Sequence, residues 1–263
     1  MNARGTAEAT ARATVETLLD RHGTTYAAEA GIRLRNTPQP LYQLLVLSDL
    51  LSARIRASVA VAAARALFAH GLRSPERMRD ATWQERVDAL GEGGYRRYDE
   101  RTATQLGEGA QRLLDDYGGD LRRLRAEADG DLDVLRAGLR RTPGIGPAGA
   151  DIFLREVQAV WPETAPFVDG KALQGAEKLG LPTSPAQLAR LAEEAEHGEQ
   201  DEHSPGGGQS RRTGQSRRTG QSAREATGAT GIGPEAGTAE LAAALVRAAL
   251  DQHIVQDVVE HSG

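Results

Sequence analysis

Apolar residues along this chain recur at helical spacing and almost never in strand-like alternation. From Ala7 to Leu19, the residues Ala11, Val15, Leu18 and Leu19 share one face, the repeat of an amphipathic helix. Thr37-Pro38, with Pro40 just inside, marks a helix start, because proline is tolerated in a first turn and poorly beyond it. Leu44, Leu47 and Leu51 carry that helix forward. A second runs from Ala57 to Phe68, until His70-Gly71 stops it. Ser74 before Pro75, and Thr82 with Glu85 as a capping box, open two short helices. Gly91, Gly93 and Gly94 break the chain before "YRRYDERTATQLGEGAQRLLDDYGGDL", a long amphipathic helix ending at Gly118-Gly119. Further helices are predicted over Leu132 to Arg140, Asp151 to Val160, and in "VDGKALQGAEKLGL", "SPAQLARLAEEAEH" and "GTAELAAALVRAALDQHIVQDVVEHSG". No strand emerges, and the expected fold class is all-α.

The pattern fails between Gly198 and Gly237. That stretch holds "GQSRRTGQSRRTGQSARE", a six-residue repeat flanked by glycine-rich sequence and devoid of apolar periodicity, so it reads as a disordered insertion or linker. Arg211, Arg212, Arg217, Arg218 and Arg224 lie there with no acidic residue among them. Two readings stay open: an expanded repeat without function, or a tether adding salt-sensitive affinity for a polyanion.

Composition narrows the chemistry. The 263 residues suffice for one large or two small domains. Aromatics make up only 4%, so the core rests on Leu, Val, Ile and Ala, which favours packed helices over sheets. No window reaches the roughly 18 continuous apolar residues of a membrane span. The N-terminal stretch lacks the apolar block of a secretory signal, so a cytoplasmic location is expected. With no cysteine, disulfides, thiolate zinc sites, iron–sulfur clusters and thiol nucleophiles are excluded. The net charge of −5 does not by itself announce a nucleic-acid binder. Among 32 Lys and Arg residues only Lys171 and Lys178 are lysines, so any amine chemistry has two candidates.

"RTPGIGPAGADIFLREV", from Arg141 to Val157, sets Pro143-Gly144-Ile145-Gly146 between two helical stretches. Such a turn can be a tight helix–helix connection, with glycine supplying left-handed backbone angles. It can also be a grip. The first amides of the following helix, Ala148 to Asp151, are expected to lack intrahelical partners, and with the helix dipole they suit a phosphate oxygen.

The neighbouring residues add a resemblance. "LRRTPGIGPAGADIFL" followed by "PFVDGKALQGAEKLGL" is similar to the helix-hairpin-helix signature of the endonuclease III-like DNA glycosylase superfamily, whose pattern is L-P-G-V-G-x-K-T-A, then V-D-T-H and an R-L-G-L-like close. Ala150 holds the small position, Val168-Asp169 the V-D pair, and Lys178 to Leu181 the closing segment. Asp169 falls 23 residues past Gly146. Upstream, "LLVLSDLLSARI" resembles the helix ending L-L-S-x-Q, and "GGYRRYDERTATQL" the G-x-Y-x-x-K-A-x-x-L segment. The five elements span Pro38 to Leu181 in the family's order.

This resemblance implies a two-domain helical DNA glycosylase fold with a cleft between the halves. A helical-barrel domain would take residues 37–164, with the hairpin motif at about 135–160. A second domain would combine 1–36, 165–197 and 238–263, leaving 198–237 as the insertion. It implies a double-stranded DNA partner and flipping of a target base out of the stack. DNA contacts fall on Pro143, Gly144, Ile145, Gly146, Ala148 and Gly149, with Arg54 where the family places a glutamine wedge. Asp169 takes the catalytic carboxylate's place; Asp is also a favoured helix N-cap, and both roles can coexist. A monomer acting on nucleoid DNA is expected, with no iron–sulfur cluster or other cofactor beyond a monovalent cation at the hairpin carbonyls.

The chain also departs from the family. Ala148 stands where bifunctional members carry the Schiff-base lysine, so β-lyase chemistry is lost unless Lys171 substitutes. V-D-T-H has become V-D-G-K, which removes a histidine. Glu156, on the helix after the hairpin, is expected to be a solvated or i,i+4-paired charge. These features point to a monofunctional DNA N-glycosylase of base-excision repair. A catalytically degenerate, lesion-sensing DNA binder is the alternative. A helical scaffold with no DNA role would need the match to be coincidental.

Overall fold

The computed structural model describes residues 3–202 and 234–262. Within them the chain is all-α and contains no strand. The repeat segment lies outside the described residues. The 198–237 stretch is nevertheless shorter at both ends than its composition indicates, since helix continues to Glu202 and resumes at Pro234.

Two groups of helices form around one continuous apolar core. In the first, α3 (Pro38–Ser52) runs through the middle with Leu41, Leu44, Leu45, Leu47 and Leu50 all buried. Helix α4 (Ala57–Ala69) packs on it, followed by α5 (Pro75–Asp80), α6 (Trp83–Glu92), α7 (Asp99–Tyr117), α8 (Leu121–Ala128) and α9 (Leu132–Leu139). In the second, α1 (Ala3–His22), α11 (Gly170–Lys178), α12 (Pro185–Glu202) and α14 (Gln252–His261) surround α13 (Pro234–Leu250). A single turn, α2 (Tyr26–Glu29), follows α1. Helix α10 (Pro147–Val157) touches α3, α9 and α13, and so joins the two groups.

Local chemistry explains most boundaries. Thr82 and Glu85 form the reciprocal capping box, and the Ser74 hydroxyl accepts from the Arg77 amide at the start of α5. Gly118 closes α7 in the left-handed region at φ 59°. Arg86, buried under α7, donates to the carbonyls of Met78, Ala81 and Ala103 and so ties α5 to α7. Two expectations need correction. Helix α10 starts at Pro147 rather than Asp151, because Pro at the first position costs no hydrogen bond. Helix α8 is not anticipated at all; it is short and arginine-rich, and it buries only Leu121, Leu124 and Ala128.

Helix α13 is alanine-rich and buried on nearly every side, which lets its neighbours approach at backbone distance. Gly175 of α11 is the tightest point: a Cβ there would collide with the backbone carbonyl of Leu245. Gly175→Ala is therefore expected to destabilise the protein by about 1–3 kcal/mol through overpacking. Urea unfolding checks this. Gly170→Ala in the same helix meets open space and serves as the comparison.

Candidate functional site

The α9–α10 connection is a compact hairpin. Arg141 N donates to Gly138 O, Thr142 N to Leu139 O and Ile145 N to Thr142 O, at 3.0–3.1 Å. Gly144 sits at φ +93°, where a side chain would be strained, and Ile145 is buried as the plug that anchors the turn. Gly146 is the N-cap of α10 and offers no side chain to it, and no acidic residue occupies the first turn. Pro147 has no N–H. The amides of Ala148 and Gly149 have no partner among the described residues, whereas Ala150 N already donates to Gly146 O at 3.0 Å. The expected row of four free amides is therefore shorter: Ala148 and Gly149 are bare, while Ala150 and Asp151 belong to the helix ladder. Pro147 and Ala148 are exposed while Gly149 is buried, so the part of this positively polarised helix start that faces outward is Pro147-Ala148.

The remaining predicted residues are distributed unevenly. Asp169 caps α11, its Oδ1 accepting from Lys171 N and Ala172 N at 2.9 Å each. Its Oδ2 accepts from the Arg155 guanidinium, and the residue is 9% exposed. Lys171 shares the turn with Asp169, yet its exposed ammonium binds Gln174 Oε1 at 2.9 Å. Arg54 is exposed in the bend between α3 and α4 and makes no ion pair among the described residues. No group of three or more His, Cys, Asp or Glu suited to a metal ion occurs there either.

Around Asp169 the structure assembles a buried charged cluster that sequence reasoning missed. Arg155 is 2% exposed and lies with its guanidinium carbon 5.7 Å from the Tyr26 ring centre. Its Nε is unpartnered, and the closest acid beyond Asp169 is Glu156, at 3.8 Å. Glu156 is not a solvated charge. It is 1% exposed, accepts from Ala27 N at 2.9 Å, and keeps Oε1 unpartnered. Burial pushes its carboxyl upward, opposed by Arg155 and by the α2 amides. Arg247 of α13 also packs on Tyr26, 4.3 Å from the ring centre, and binds Glu29 at 2.8 Å. The only hint in the sequence is a charged Arg-Glu pair inside "IFLREVQAV", flanked by the core residues Leu154 and Val157.

The hairpin and this cluster share one helix. Ala148 and Arg155 are seven residues apart, so they lie on the same face of α10 about 10 Å apart along its axis. Asp169 reaches that face through Arg155. Comparisons with protein-family models, curated proteins and solved structures give no match to this chain.

Proposed function

We propose that the protein binds duplex DNA through the α9–α10 hairpin and acts as a base-excision repair DNA N-glycosylase of the endonuclease III type. The observation that carries this reading is the start of α10: the bare amides of exposed Ala148 and buried Gly149, no acidic residue in the first turn and no side-chain cap, after a left-handed glycine turn. A phosphate oxygen satisfies those donors without any base being read. The helices α3–α9 and the group around α13 would be the two domains, with α10 between them and the flipped base held at their junction. We place the protein in the cytoplasm as a monomer on nucleoid DNA.

Excision would fall to Asp169, the N-cap of α11, which is paired with Arg155 of α10. Its carboxylate would stabilise the cationic sugar as the base departs with the bonding electrons, and take a proton from the water whose oxygen joins C1′, that proton passing on to the departed base. Ala148 offers no amine, and Lys171 is turned to Gln174, so hydrolysis rather than Schiff-base formation is the route. A second reading, binding without excision, is favoured by one observation: both oxygens of Asp169 are already engaged.

Incubating the protein with a panel of damaged duplexes, then with alkali to cleave abasic sites, decides between them. Excision that falls at least about 100-fold in Asp169→Asn supports the glycosylase. Binding without cleavage on any duplex supports the second reading. Unchanged affinity in folded Gly144→Ala and Gly146→Ala variants removes the hairpin from the interface.

A further inference from the structure

Directly beneath the hairpin lies a carboxyl group that the proposed chemistry does not use. Asp49, on α3, is 8% exposed and its Oδ2 has no hydrogen-bond partner. A Cβ on Gly144 would come within 2.6 Å of that oxygen, so the turn rests on the carboxyl. Beside them is a cavity of about 20 Å³ lined by Asp49, Tyr42, Gln105, Thr142, Pro143 and Ile145, with room for about one water molecule.

The surroundings offer little to hold a negative charge. Arg101, from α7, is the one charge that acts on Asp49 favourably. Tyr42 of α3 and Tyr95 ahead of α7 are neutral phenols, both raised by burial and by the nearby carboxyl. The hairpin side, Thr142 to Ile145, carries no titratable group. Helix α10 presents Gly149 against the Ser48 carbonyl, and its Asp151 is paired with Arg136. On the other neighbours of α3, Arg65 of α4 binds the Glu29 carbonyl, while Arg122 and Arg125 of α8 bind Asp120 and Glu163. Burial pushes Asp49 up to about 7.

We propose that Asp49 takes up a proton when the hairpin engages a DNA phosphate, so that the grip is proton-linked and weakens as the solution becomes alkaline. This rests on the DNA-binding reading above. A phosphate seated on the hairpin brings a second negative charge over an unpartnered carboxylate, and like charges at that range disfavour the ionised form. The neutral carboxyl removes the repulsion and can donate its proton to a water in the cavity. By linkage, whatever raises proton affinity on binding lowers DNA affinity when the proton is scarce.

The test measures binding of a fluorescent duplex by anisotropy from pH 5.5 to 8.5 at fixed ionic strength. Wild-type affinity should fall about 5- to 20-fold across that range, within the usual span of coupling between sites. Asp49→Asn should hold the high affinity throughout. Proton uptake on mixing wild-type protein with duplex in weak buffer at pH 7.5 supplies a reading that needs no variant, and it should be about half a proton per complex. The same pH profile in wild type and Asp49→Asn, or no uptake, overturns the linkage and leaves the DNA reading standing. Absence of duplex binding at every pH overturns both.

Discussion

Replacing Arg155 by methionine is expected to lower the free energy of unfolding by about 3–5 kcal/mol, the cost of breaking a buried ion pair from one side. Methionine keeps most of the volume, so the loss is electrostatic rather than a cavity. Asp169 would retain its two amide contacts but face the interior with an uncompensated charge, and Glu156 would lose the cation that opposes its burial. The guanidinium over Tyr26 would go as well. Chemical denaturation measures the loss. The decisive comparison is the double variant with Asp169→Asn: asparagine caps a helix about as well as aspartate, so the cap survives while the stranded charge disappears. Recovery of a substantial part of the stability is expected. If the double variant is no more stable than Arg155→Met alone, the ion pair is not what Arg155 contributes.

Asp49→Asn should act in the opposite direction, and only at higher pH. The folded-state value of about 7 lies above the 3.8 of an ordinary aspartate, so between them the native state holds a proton that the unfolded chain has released. Stability therefore falls as pH rises from about 4 to about 7 and is level beyond. The interval from 3.8 to about 7 sets the loss at no more than about 4 kcal/mol. Asparagine carries no charge and escapes the loss. Urea unfolding at pH 4 should find the two proteins within about 1 kcal/mol, and at pH 8.5 the variant should be the more stable by about 3–4 kcal/mol. An equal difference at both pH values would mean that Asp49 is not titrating in the fold.

The hairpin was legible because its determinants are local. Glycine at positive φ, proline at a helix start and a Thr–Glu capping box act within a few residues, and each left a readable trace. Arg155, Glu156 and Asp49 were not legible in the same way, because what buries them is remote. The amide that binds Glu156 belongs to Ala27, 129 residues away, and the turn that rests on Asp49 comes from another part of the chain. Helical periodicity places a residue on a face; it does not say which other helix will cover that face. Asp49 did stand inside "LLVLSDLLS", a carboxylate in a leucine-rich helix, and that mismatch is the kind of signal worth weighing as heavily as a motif. Asp169 lay between these cases: its cap is local, its partner is not.

The contact between α12 and α13 has a consequence for inheritance. Gly237, in the first turns of α13, lies against Glu196 of α12, six residues before that helix ends at Glu202. Each GQSRRT copy is six codons, so its gain or loss by strand slippage preserves the reading frame. Each copy gained or lost would change the chain between α12 and α13 by six residues.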